Sequence, residues 1–295
     1  MTFLSERSRQ DERLHSTLCP HASLHPNRSR GTIVPMTFDD FLKHACPPLD
    51  LEWRKYRKAR RRISERIREL GLGSWSDYLE LLRRDQEEAF RFPYRMRVMM
   101  TRFFRDRECW DDLAELLPGL VPQASKTLRA WSAGCCGGEE PHSLAILWLD
   151  RMASRFPECS LDILATDIDD DSLYRARTAW YQHQSLREAD RRLLVEWFER
   201  EGDGFRPLPE VRRMVRFRKH NFMLESPPGA FDLVLCRYLP FTYYSGVRLD
   251  TAIEILASVL KTGGLLMIGR KEAMPASGLR FFAPAGKTGA LWRRE

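Results

Sequence analysis

The sequence predicts an α/β protein, with a small helical domain in front of a mostly parallel sheet covered on both faces. Three observations carry that expectation. The stretch from Leu128 to Asp150, LRAWSAGCCGGEEPHSLAILWLD, passes from a short apolar strand through a small-residue turn into a helix beginning near Glu139. After Pro122, apolar strand runs at 128–131, 161–166, 215–218, 231–236 and 265–269 alternate with helical runs at 140–155, 171–179, 187–199 and 249–260. That spacing suits parallel strands joined by crossover helices. Before Pro122 the period is helical instead, from Thr37 to about Gln123.

Residues 1–35 are rich in Ser, Arg, His and Pro and show no period, so a disordered tail is expected, with Met36 standing just before the first periodic segment. Cys19, His21 and His25 in that tail make an incomplete metal set, and no metal site is expected. Thr37 is placed to cap a helix whose first turn holds Asp39 and Asp40 and which Pro47-Pro48 ends. Asp50 is expected to cap the next helix, along which Trp53, Tyr56, Ile63, Ile67 and Leu70 recur before Gly71 stops it. Further helices are expected from Ser76 to Leu82, over 96–105 and over 111–117. The helical domain would then span 36–123 and the sheet domain 124–295.

Charge is concentrated. Between Trp53 and Glu69 there are nine Arg or Lys against two Glu, an excess equal to the net charge of +7 of the whole chain. An acidic partner is therefore expected at one face. Nucleic acid is not the expected partner, because no aromatic-interleaved groove or RNA-binding module accompanies the arginines. The seven cysteines are odd in number and lack any CxxC spacing, which suits free thiols in a reducing compartment. No run approaches the ~20 apolar residues of a membrane span, and no secretory h-region opens the chain. A cytoplasmic protein without membrane insertion is expected.

The glycines of the 134–138 turn leave the backbone open to close approach by a ligand. Glu139-Glu140 and Pro141 suit a helix first turn. Carboxylates there argue for a cationic or hydroxyl-bearing ligand, and neither the GxGxxG fingerprint nor a phosphate-loop lysine is present. Ligands of such sheets sit outside the carboxyl ends of the strands. Asp167, Asn221 and Arg237 are the polar residues expected at three of those ends. Asp167 is placed either to accept both hydroxyls of a ribose or, with Asp169 to Asp171, to cap the following helix. Asn221 offers a carboxamide that matches an adenine edge.

WSAGCCGGEEPHSLA resembles the cofactor motif of the CheR chemotaxis protein methyltransferases, WSAGxxxGEEPYS, and the family's other motifs follow in order. They are the helical ARRRISERIRELGLGSWSDYLELL, then TRFFRD, LATDID, VRFRKHNF, FDLVLCR and KTGGLLMIG, together covering about Phe38 to Met274. The resemblance implies a class I, Rossmann-like methyltransferase sheet, with a small antiparallel β-subdomain at about 200–220. It also implies S-adenosyl-L-methionine as cofactor, leaving as S-adenosyl-L-homocysteine. Thr101, Arg105, Gly134, Glu140, Asp167, Asn221, Phe222, Arg237 and Tyr238 would line the cofactor pocket. Arg105 would reach the methionine carboxylate or the substrate carboxylate by a bidentate contact, and Tyr243 or Tyr244 is the candidate for an orienting hydroxyl. Arg54, Lys58, Arg61 and Arg62 would receive an acidic methyl-accepting helix of a chemoreceptor-like protein, with the enzyme acting as a monomer.

The sequence departs from the family pattern at three places. Met99 stands where the family usually has Asn, His142 replaces the tyrosine of GEEPY, and CRNVxIYF becomes Cys236-Arg237-Tyr238-Leu239-Pro240-Phe241-Thr242-Tyr243-Tyr244. The expected activity is O-methylation of glutamate side chains. The altered 237–244 segment also allows a small-molecule or other protein acceptor, or a module that senses the cofactor without catalysis.

Overall fold

The structure, a computed structural model, describes residues 35–96, 101–121, 126–225 and 229–295. The expected tail, with Cys19, His21 and His25, lies almost wholly outside them, as does Met99. The chain divides into two compact units, Met1–Val98 and Met99–Glu295.

In the first unit, helix α1 (Phe38–Ala45) is capped as expected, Thr37 accepting from the Asp40 amide. Asp50 does not cap the next helix. It sits in a left-handed turn at φ 49° closing a 3-10 segment, and a second 3-10 run, Trp53–Ala59, leads into α2 (Arg60–Glu69). Helix α3 (Trp75–Arg84) is capped by Ser74, and α4 (Gln86–Arg95), which periodicity did not single out, by Asp85. Phe41, Tyr56, Tyr78 and Phe92 are fully buried and pack with ring centroids 5.7–6.2 Å apart. Buried Glu88 accepts both Arg66 nitrogens, at 3.0 and 2.7 Å, and the Tyr78 hydroxyl at 2.9 Å.

The second unit begins earlier in the chain than Pro122. The expected helix over 96–105 is absent from its described part: Phe104 (φ 52°) and Asp106 (φ 58°) are left-handed, and the Phe103 amide donates to the Ser185 carbonyl. Helix α5 (Arg107–Leu116) follows. Phe103, Phe104, Trp110, Leu113 and Leu117 join the core beneath the sheet, which is why residues 101–121 belong with it and not with the helical unit.

Strand β1 (Thr127–Ala133), α6 (Glu139–Arg151), β2 (Ser160–Asp167) and α7 (Asp170–Thr178) come next, then α8 (Arg191–Trp197). The two-stranded antiparallel ribbon consists of β3 (Phe198–Glu201) and β4 (Gly204–Pro207). It stands earlier than expected, because Val215–Lys219 (β5) pairs in parallel with β2 after the short helix α9 (Pro209–Arg213). Then come β6 (Phe231–Leu235), α10 (Pro240–Tyr243), α11 (Gly246–Val259), β7 (Leu260–Met267), β8 (Phe282–Ala285) and β9 (Leu291–Arg294). The sheet order is β5-β2-β1-β6-β7-β9-β8, parallel except for β9 and β8. The strand order reverses between β1 and β6. In such sheets the crevice outside the carboxyl ends at that point is where ligands bind. The expected strands lie where periodicity put them. The β8–β9 hairpin went unread because its strands are four residues each, too short for a period.

Candidate active site

The turn after β1 is built around one carboxylate. Gly134 has φ 79°, a conformation strained for any side chain, and a Cβ there would come 2.7 Å from Leu239 Cδ2 and force that leucine to move. Its amide and that of Cys135 donate to the Thr166 carbonyl at 2.8 and 2.9 Å. Asp167 then closes the turn: Oδ2 accepts from the Cys136 amide at 2.9 Å, and Oδ1 accepts from the Ile168 and Asp169 amides at 2.8 and 3.0 Å. Asp169 is the side chain that caps α7, accepting from the Ser172 amide. Of the two roles open to Asp167 in the sequence, capping thus belongs to its neighbour. Of the up to four hydrogen bonds its carboxylate can accept, these amides supply three.

A second cluster sits at the end of β6. The Arg237 side chain is only 3% exposed and donates through one terminal nitrogen to the Arg105 carbonyl and to Asp106 Oδ2, both at 2.7 Å. Its other terminal nitrogen is 3.8 Å from Glu140 Oε2. Ser132 of β1 donates to Glu140 Oε1 at 2.7 Å. Burial pushes the Glu140 carboxyl above its ordinary pKa, against the pull of the Arg237 cation. Tyr238 is left-handed at φ 56°, donates its hydroxyl to Asp106 at 2.6 Å, and lies beneath the Arg105 guanidinium at 3.7 Å. Burial and the Asp106 carboxylate push that hydroxyl up to about 12. Glu272 ties the segment to the end of β7, accepting from the amides of Tyr238 (2.9 Å) and Gly269 (2.6 Å) and from the Thr242 hydroxyl (2.5 Å).

The structure therefore brings Arg105, Glu140, Arg237 and Tyr238 together and places Gly134 and Asp167 on the adjoining turn. Asn221 stands two residues beyond β5, where its Oδ1 accepts from the Met223 amide. Phe222 is buried edge-on to Trp131, with centroids 6.3 Å apart. Tyr243 ends α10 and is buried; Thr101 is half-buried at the head of its described stretch. Arg54, Lys58, Arg61 and Arg62 are exposed on the first unit. Periodicity could not single out Ser132, Asp106 or Glu272. Asp106 at least adjoins the FFR motif; Glu272 carries no sequence signal.

The family model described as "CheR methyltransferase, SAM binding domain" matches residues 99–288. The chain belongs to the CheR methyltransferase family. A chemotaxis protein methyltransferase of Listeria innocua is 32% identical over 225 residues, 76% of this chain and 84% of that protein. Chemotaxis protein methyltransferase 2 of Pseudomonas aeruginosa is 32% identical over 218 residues, 72% of this chain and 76% of its own length. Among solved structures, the N-methyltransferase NodS of Bradyrhizobium japonicum with S-adenosyl-L-homocysteine aligns at 14% identity and TM-score 0.35, over 62% of this chain and 86% of that one. The chain is accordingly an S-adenosylmethionine-dependent methyltransferase. The residues present fit that cofactor: Gly134 leaves the turn backbone open to close approach, and the Asp167 and Glu140 carboxyls supply acceptors on the β1 turn and at the start of α6.

Glu139, one residue before Glu140, is a separate case. It is 5% exposed, with Ser185 donating to one oxygen at 3.2 Å, and burial pushes its carboxyl up to about 7. The folded state thus holds a proton that the unfolded chain releases between the ordinary 4.5 and about 7. Stability from this group is full below the lower value and is lost as pH rises through the higher. Replacing Glu139 by Gln should raise the thermal midpoint at pH 8 and leave it nearly unchanged at pH 5. A pH-independent effect in scanning calorimetry would mean that Glu139 folds already ionised.

Proposed function

We propose that the chain transfers methyl groups to glutamate side chains of a chemoreceptor-like protein, within a reducing, cytoplasmic compartment. The observation that carries this reading is the match across three quarters of the chain to proteins named chemotaxis protein methyltransferases. S-adenosylmethionine supplies a methyl group activated by its sulfonium. In this reading Asp167 takes the ribose hydroxyls, Asn221 and Phe222 flank the adenine, and Thr101, Arg237 and Tyr238 complete the walls. Glu140 faces the cofactor's positive end, and Arg105 holds a carboxylate by its fork of donors. The acceptor needs no general base, since a glutamate is ionised near neutral pH. What remains for the protein is positioning, which can contribute several kcal/mol, and exclusion of water, which favours the charge-neutralising transition state. Tyr243 would orient the acceptor with its hydroxyl. No disulfide joins any of the six described cysteines, and no described helix is long and apolar enough to cross a membrane.

A second reading, a small-molecule or other protein acceptor, is favoured by Tyr238. Its ring fills the position of the family asparagine and is covered by Arg105. The deciding experiment supplies methyl-labelled S-adenosylmethionine to a native lysate with the purified protein. Label on a protein band that leaves as methanol in mild alkali supports glutamate esters. Base-stable label points to another product, and cofactor binding without any labelling points to a sensing module.

The basic face of the first unit gives an independent check. Among the described residues Arg57 pairs with Asp39, Arg61 with Glu65 and Arg66 with Glu88, while Lys58, Arg60 and Arg68 have no carboxylate partner. In the 3-10 run Trp53–Ala59 side chains three apart eclipse, so Arg54–Arg57 and Lys55–Lys58 bring like charges together, a repulsion that an acidic surface would offset. Arg61→Glu with Arg62→Glu should slow methylation of a protein acceptor and leave cofactor affinity unchanged. The wild-type rate should fall as salt rises past about 0.15 M, where the Debye length is ~8 Å. Indifference to both changes would move the acceptor to a small molecule.

A further inference from the structure

On the second unit, a surface cavity of about 290 Å³ opens between α6, α7, α9 and β5, lined by His142, Ala176, Arg177, Ala179, Arg212, Val215 and Phe217. None of these is acidic. Two guanidiniums therefore share one cavity, with Glu199, 4.0 Å from an Arg212 terminal nitrogen, as the carboxylate paired with that arginine among the described residues. Arg177 makes one long contact, 3.4 Å to the Phe217 carbonyl.

Two of the lining side chains carry buried polar atoms without partners: Nε2 of His142 and Nε of Arg212. Buried polar groups are nearly always hydrogen-bonded, so two orphans on one cavity ask for an explanation. Their chemistry is opposite. Tyr181 donates its one hydroxyl proton to the Gly137 carbonyl at 2.8 Å, so towards His142 Nδ1, 3.1 Å away, its oxygen can only accept. Nδ1 thus carries the imidazole proton, and Nε2 is left as a bare acceptor. Burial keeps the ring neutral, with its pKa lowered to about 3. Phe103 stacks on it, and Tyr181 and Phe217 meet it edge-on. The Nε–H of Arg212 is a donor. The side chains around the cavity therefore hold positive donors together with one neutral acceptor, on residues that the proposed methyl-transfer chemistry does not use.

We propose that this cavity is a second binding site, taking a small phosphate-class anion that still bears a proton. The oxygens would accept from Arg177 and Arg212, and the remaining P–OH would donate to Nε2 of His142. The acceptor sets the class. A fully deprotonated anion such as sulfate meets the arginines but leaves Nε2 unpaired, and it loses the discrimination that an unmatched buried polar atom imposes.

The test is calorimetric titration of the full chain with inorganic phosphate, sulfate and glycerol 3-phosphate, its methyl-donor site saturated with S-adenosylhomocysteine. Phosphate should bind saturably and roughly tenfold more tightly than sulfate, and Arg212→Ala should weaken it by roughly tenfold, the scale of one charge-assisted hydrogen bond. Tighter binding of glycerol 3-phosphate at about pH 6, where the monoester still carries a proton, would make the natural ligand an organic phosphomonoester; equal or weaker binding there would make it free phosphate. His142→Tyr should erase the preference for phosphate over sulfate, and the ¹⁵N resonance of His142 Nε2 should move on phosphate addition to wild type. Arg177 is exposed at the end of α7, so Arg177→Ser tests the cavity even if the buried variants fail to fold. Phosphate binding absent in wild type, or unaltered by Arg177→Ser and Arg212→Ala, would overturn the proposal and leave the two orphans to a buried water. Equal binding of sulfate would overturn the part given to His142.

Discussion

Replacing Arg237 by Ala should destabilise the second unit by roughly 3–5 kcal/mol, the cost of breaking a buried ion pair on one side. Arg237 neutralises Asp106 at 2.7 Å and faces Glu140 at 3.8 Å, and its own side chain is almost wholly buried. Without it two carboxylates remain in a site that already penalises charge. Arg237→Lys should recover only part of the loss, since a single ammonium cannot serve both the Arg105 carbonyl and the two carboxylates in the same geometry. Denaturant titration of the three proteins measures the effect. A loss below about 1 kcal/mol would mean that the cation contributes no more than a surface pair.

The second expected result concerns Asp167, which the proposed function sets against the ribose. Asp167→Ala should weaken S-adenosylhomocysteine binding by about 1–3 kcal/mol for the unpaired hydroxyls alone. Three backbone amides in the turn also lose their acceptor, so the deficit should reach the upper end of that range. Asp167→Asn retains one carbonyl oxygen and should fall between. Calorimetry on the two variants settles the ranking. If Ala and Asn bind as tightly as wild type, Asp167 organises the turn without touching the ribose.

These two residues show what could be read in advance. Asp167 was legible because strand periodicity ends there and the glycine turn precedes it; alternation fixes a strand end to within a residue or two. The parallel sheet followed from the same alternation; the strand order did not, because periodicity does not say which strands pair. Asp106 and Glu272 were not legible, because their importance lies in contacts made 131–132 and 30–34 residues away along the chain. The domain boundary was misplaced for a related reason. Residues 101–121 look helical by period, but Phe103, Phe104 and Trp110 bury themselves against the sheet. Asp50 failed as a cap because the following turns are 3-10 and begin at Trp53.

The joining of 101–106, 236–242 and 269–272 has a consequence for how the enzyme comes into being. No local stretch contains the arginine cluster; it exists only when β1, β6 and β7 are all paired and Asp106 has been carried to them. Contacts of such sequence separation form slowly, because loop closure must precede any gain from the contact. The capacity to bind the methyl donor should therefore return in the slowest refolding phase, after helical signal has recovered. A chain still emerging from the ribosome lacks the anchor of Tyr238, Thr242 and Gly269 until Glu272 is made.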